Sequence, residues 1–195
     1  MAYVTLEAFK AYKGIPAATV VDDTLLRDLL ERVSKRFDIE TGRRFHAYAN
    51  TRYYESDAVN GTTLYLDDDL ISIDTNGLTN GDSSGTTIAG TNYWLLPRNG
   101  GPPYYAIRLK TDCDYSWEFD TDYWVSVAGQ WGFMEVPSAD IEKAITEWAA
   151  YCYDAKDIPG TQDINIFPDS GTIMIPRGIP YDVQKVIDSY RRRVG

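Results

Sequence analysis

The sequence predicts an α+β protein: a small helical bundle formed by the N- and C-terminal helices, with an antiparallel β domain, a sandwich or small barrel, inserted between them. Three observations carry this expectation. Apolar residues recur at three-and-four spacing before residue 50 and after residue 137, but at a period of two in between. Charge changes at the same places: residues 50–136 hold four basic residues (Arg52, Arg98, Arg108, Lys110) and 13 acidic ones, whereas the two flanks together hold 15 and 16. Asn-Gly turn pairs occur only in the middle, at Asn60-Gly61, Asn76-Gly77, Asn80-Gly81 and Asn99-Gly100. The expected organisation is therefore a helical domain made of 1–49 and 137–195, carrying an acidic, aromatic-rich β insertion at 50–136.

Each element has a local cause. Thr5 can cap a helix that starts at Leu6 and is closed by Gly14 and Pro16. Asp22 or Asp23 caps a second helix whose apolar face is Leu25, Leu26, Leu29, Leu30, Val33 and Phe37, and Gly42 ends it. Runs rich in Tyr, Thr, Ile and Val then predict strands at 52–55, 63–66, 70–74, 87–88, 93–96, 105–109, 117–119 and 123–128. Ser138 opens a third helix with Asp140 and Glu142 in its first turn, where the helix dipole favours acids, and with Ile141, Ala144, Ile145, Trp148, Ala149 and Cys152 as its stripe. Short apolar runs at 164–167 and 173–175 lead to Pro180 and a last helix with Val183, Val186, Ile187 and Tyr190 on one face. Every helix offers one apolar stripe, so the flanks are expected to pack on each other.

Composition narrows the function. A length of 195 residues with 44% hydrophobic and 25% charged residues is that of a globular chain able to bury a core. No apolar run reaches the ~20 residues that span a bilayer, and the first fifteen residues interleave Glu7, Lys10 and Lys13 with apolar positions, unlike a secretory leader. Membrane partners and export are not expected, and assembly in a cytoplasm is. A net charge of −10 is the reverse of what wrapping DNA requires. Cys113, Cys152 and a single His46 provide neither a zinc set nor a disulfide framework.

Two motifs invite chemistry. Gly81-Asp82-Ser83-Ser84-Gly85 has the spacing of a nucleophile elbow, but the elbow needs a strand before it and a helix after it, and the neighbours here are turn and β-prone residues. Asp67-Asp68-Asp69 suggests calcium, yet a calcium loop wants alternating oxygen donors and a closing Glu; a solvated turn between two strands is the expectation. No catalytic residue, cofactor site or metal site is assigned, and the chain is not expected to be an enzyme. The aromatics are the stronger signal. Adjacent pairs such as Tyr53-Tyr54 and Tyr123-Trp124 cannot both point inward on a strand, so one of each faces solvent or a partner. Tyr54, Trp94, Trp124 and Trp131 are taken as candidate interface aromatics.

The order of motifs resembles the head-to-tail connector, or adaptor, proteins of long-tailed phages and prophages. The similarity runs through 6–12 (LEAFKAY), 22–26 (DDTLL), 41–45 (TGRRF), 51–54 (TRYY) and 66–73 (LDDDLISI). It continues through 93–97 (YWLLP), 129–133 (GQWGF), Val136-Pro137, 178–183 (GIPYDV) and 190–192 (YRR). The resemblance implies a structural virion protein at the head-tail junction, also described as a head-completion protein. Its subunits would form a homo-oligomeric ring, of twelve, that docks under the portal protein and receives a stopper or tail-completion protein. Double-stranded DNA would pass through without sequence-specific binding. It further implies portal contact by the C-terminal helix and tail, here Tyr190, Arg191, Arg192 and Arg193. From the residues alone, the aromatic-rich insertion also fits a β-sandwich module of a virion or tail component that binds sugar or protein.

Overall fold

Four helices and seven antiparallel strands make up the regular structure in the computed structural model, which describes residues 1–81, 85–119, 124–155 and 178–192. The chain divides into two compact units, Met1–Arg43 with Pro137–Gly195, and Arg44–Val136.

In the helical unit, α1 (Leu6–Lys13) begins where Thr5 Oγ1 accepts the Ala8 N–H at 3.2 Å, and it ends at Gly14, whose φ of +68° is open to glycine at little cost. Helix α2 (Asp23–Thr41) ends in the same way at Gly42 (φ +67°), which donates to the Asp38 carbonyl at 2.8 Å. Asp22 occupies the cap position but spends its carboxylate on the Tyr153 hydroxyl at 3.0 Å. Asp23 pairs with the nearly buried Lys10 Nζ, which also donates to the Thr19 carbonyl at 2.6 Å. Helix α3 (Ala139–Ala155) buries all six residues of its expected stripe, and α4 (Tyr181–Tyr190) buries Val183 and Ile187. Leu26, Leu29, Leu30, Val33 and Phe37 of α2 are fully inside, each worth about 1.5–3 kcal/mol relative to exposure. The helices pack on one another as their single stripes require. The apolar runs at 164–167 and 173–175 lie outside the described residues.

The second unit is built on strands β1 (Tyr48–Tyr54), β2 (Val59–Asn60), β3 (Thr63–Asn80), β4 (Thr86–Thr87), β5 (Tyr93–Leu96), β6 (Tyr104–Leu109) and β7 (Val125–Trp131). They form one sheet in the order β1-β7-β3-β6-β5, with β2 and β4 paired to the two ends of β3. The α+β class with an inserted antiparallel domain therefore holds, and the choice between sandwich and barrel resolves to a single sheet that does not close. Register shifts along β3, between Tyr65 and Leu70 against β6 and between Ile73 and Leu78 against β7, add twist and bend to the long strand. Its core gathers Leu64, Leu66, Leu70, Leu78, Ile88, Ile107, Leu109, Val125, Val127 and Trp131. Chain entry and exit are laced together: Phe133 N–H donates to the Arg44 carbonyl at 2.7 Å and Ala47 N–H to the Glu135 carbonyl at 3.2 Å.

Three sequence expectations change. The segments 63–66 and 70–74 are one strand, not two, and Asp67-Asp68-Asp69 is part of β3 and not a turn, with a cation from β1 pairing two of its three carboxylates, as described below. Asn76-Gly77 is an irregularity inside β3. A Cβ on Gly77 would lie 2.3 Å from the Ala128 carbonyl oxygen and one on Gly129 2.1 Å from that of Ser72, so these glycines let β3 and β7 stay in contact across the register shift. Residues 117–119 are not a strand, and the last strand is Val125–Trp131. Asn60-Gly61 does mark a hairpin, with Gly61-Thr62 as its two-residue loop.

Candidate interaction surfaces

The C-terminal segment is fixed from both sides. Helix α4 starts after Pro180 and stops at Tyr190, whose hydroxyl donates to Asp140 Oδ2 at 2.7 Å; the Ser138 hydroxyl, helped by this bond, holds the Asp140 carboxyl below the usual range. Beyond it the chain turns extended and crosses the end of α2. Arg192 N–H donates to the Thr41 carbonyl at 2.8 Å, Arg191 Nε to that of Glu40 at 3.3 Å, and Arg43 Nε returns to the Tyr190 carbonyl at 2.8 Å. The arginines thus serve the unsatisfied carbonyls of α2, where the macrodipole is negative. Tyr190 and Arg192 are half-buried and Arg191 is exposed. Arg193 lies outside the described residues.

The four candidate aromatics separate into two kinds. Tyr54 is 5% exposed and Trp131 fully buried, so neither is a surface anchor. Strand alternation turns Tyr54 inward and leaves Tyr53, 64% exposed, on the outside. Trp131 ends β7 in phase with Val125, Val127 and Gly129, all buried, and its Nε1–H donates to the Asn50 carbonyl at 3.0 Å.

Around Trp131 and Tyr54 the acidic run finds its use. Arg52 Nη2 reaches Asp68 Oδ2 at 2.6 Å and the Tyr48 hydroxyl oxygen at 2.7 Å, Nη1 pairs with Asp67 Oδ2, and the guanidinium lies 4.8 Å from the Trp131 ring centre. Tyr48 donates to Asp68 at 2.9 Å and Tyr54 to Asp67 at 2.7 Å. Burial, reinforced by the Asp67 carboxylate, pushes the Tyr54 hydroxyl far above its ordinary value. Asp67 and Asp68 are receptors for Arg52. Among the described residues no group of three or more His, Cys, Asp or Glu side chains is placed to hold a metal ion. In the Gly81–Gly85 segment, Asp82, Ser83 and Ser84 lie outside the described residues.

Trp94 is exposed and Trp124 half-buried. Tyr53 meets Trp124 edge to face, with ring centres 5.8 Å apart and planes at 88°. Trp94, 39% exposed, has Arg98 Cζ 3.7 Å and Lys110 Nζ 4.1 Å from its ring centre. Its cross-strand neighbour is Arg108, whose Nε donates to Thr63 Oγ1 at 3.2 Å on the next strand. Lys110 also donates to the Thr91 carbonyl. Three of the insertion's four basic residues therefore surround one exposed indole, and none of them makes a salt bridge among the described residues. Sequence reasoning missed this cluster. Trp94 and Arg108 are fourteen positions apart, and only the β5–β6 register brings them together.

No family model matches the sequence, and a search of curated proteins finds no match. Solved structures do share its fold. A chain from the neck of an empty gene transfer agent (GTA) particle computed with C6 symmetry aligns with a TM-score of 0.65 at 15% identity, covering 99% of this chain and 92% of that one. A chain from the virion of a native GTA particle gives 0.55 at 15% identity, with the same coverages. A third, from the neck of a native GTA particle computed with C12 symmetry, gives 0.53 at 16%, covering 92% and 93%.

Proposed function

We propose that this chain is a head-to-tail connector subunit of a phage-like virion: a structural protein, not an enzyme, that forms a ring beneath the capsid portal and joins the head to the tail. The observation that carries this reading is the fold shared with neck chains of GTA particles over nearly the whole length. The connector-like order of sequence motifs supports it independently. A ring of twelve satisfies both reported symmetries, since sixfold symmetry is contained in twelvefold, and closed rings need two different surfaces on each subunit. Portal contact is assigned to α4 and the segment after it, Tyr190 to Arg193. The acidic 50–136 unit suits a channel wall, because it leaves passing DNA few cations to adhere to.

Mixing the protein with the portal ring from the same genome and weighing the product by mass photometry tests this. A discrete gain equal to one ring of subunits is expected. An unchanged portal mass at micromolar protein, with the chain monomeric, would overturn the reading.

A further inference from the structure

The two edges of the sheet differ in kind. Strand β5 is one edge, carrying Trp94 with Arg98, Arg108 and Lys110 around it; strand β1 is the other, and leads directly into Glu55 and Asp57, both exposed. Each edge strand has a neighbour on one side only within the chain. An exposed tryptophan beside arginines that make no salt bridge among the described residues is a composition enriched in binding hot spots. Among the described residues these cations pair with no carboxylate, in a unit that is otherwise acidic, and Arg98 and Arg108 are exposed.

We infer that the Trp94 cluster docks on the Glu55–Asp57 edge of a second copy of this chain, so that the β units join head to tail. The inference rests on the ring reading, and it names the two heterologous surfaces which that reading requires. A basic cluster on one edge strand and an acidic turn following the other give the unit two complementary surfaces, and repeated contact between them in one direction generates a ring where the rotation closes. The contact also has an electrostatic product. It covers Arg98, Arg108 and Lys110, and Arg52 is already neutralised within each subunit, so the assembled β units present an acidic surface to DNA.

Charge exchange tests it, with oligomer mass read by mass photometry for the protein alone and on the portal ring. The double variants R98E/K110E and E55K/D57K should each weaken subunit association at least tenfold, and the fourfold variant carrying both changes should regain it. Near-UV circular dichroism checks that each variant keeps its packed aromatics. As a measurement without mutation, association of the wild-type chain should weaken between about 0.1 M and 1 M salt, as the Debye length falls from ~10 to ~3 Å. Wild-type rings that are unaffected by R98E/K110E and by salt would overturn this contact and leave the connector reading standing. Absence of any ring, free or on the portal, would overturn both. Capture of duplex DNA by the wild type but not by R98E/K110E, with rings intact, would reassign the cluster to phosphate.

Discussion

The β unit holds two tryptophan–arginine sites made of similar parts and put to opposite uses. At Trp131 the indole is wholly buried, and the cation over it is bound by two carboxylates and a phenol. At Trp94 the indole is partly exposed, and its cations pair with no carboxylate among the described residues. The first site is balanced in charge within one molecule, since the Arg52 cation has the carboxylates of Asp67 and Asp68 beside it. The second is unbalanced among the described residues, and a cationic, partly exposed indole site in an otherwise acidic unit is the surface we assign to a second copy.

The largest contrast is expected from removing the two rings. Trp131→Ala should cost about 3–5 kcal/mol by leaving a core cavity, whereas Trp94→Ala should change stability by less than about 1 kcal/mol, the scale of an exposed cation–π contact. Urea unfolding followed by fluorescence measures both, and comparable losses would erase the distinction.

Removing the cations should separate the sites less widely. Arg52→Ala strands the half-buried Asp68 and should cost about 2 kcal/mol, between the values for exposed and fully buried ion pairs. Arg98→Ala should fall within about 0.5 kcal/mol of wild type while weakening association. Equal stability of the two variants would show that the Arg52 network is as solvated as the Trp94 cluster.

The smallest effect is a slope with pH. The Tyr54 hydroxyl holds its proton in the native state above the ~10 at which an unfolded tyrosine loses it. Its contribution is therefore intact below pH 10 and declines as pH rises beyond that, by up to about 1.4 kcal/mol per pH unit. Tyr54→Phe should flatten the decline in stability measured between about pH 9 and 11; an unchanged slope would mean that the hydroxyl opens to water.

The helices were legible in advance because their signals are local. Thr5, Gly14 and Gly42 act on adjacent backbone, and the stripes of α2 and α3 follow from spacing alone. The strands were less so, since a partner decides what a residue does. Asp67-Asp68-Asp69 reads as a turn until Arg52, fifteen positions away, is placed beside it. Alternation told that one of Tyr53 and Tyr54 faces out but not which, and the structure selects Tyr53. Arg191 and Arg192 donate to the carbonyls of Glu40 and Thr41 in α2, a pairing no neighbouring residue announces.

The lacing of Arg44 to Phe133 and Ala47 to Glu135 brings the two ends of the β unit side by side. A segment whose ends meet is a cassette: it can be lengthened, exchanged or cut out with a short splice, without rethreading the rest of the chain. Lineages could therefore vary this module, and with it the spacing and charge of an assembly, while the helices on either side keep their places in the sequence.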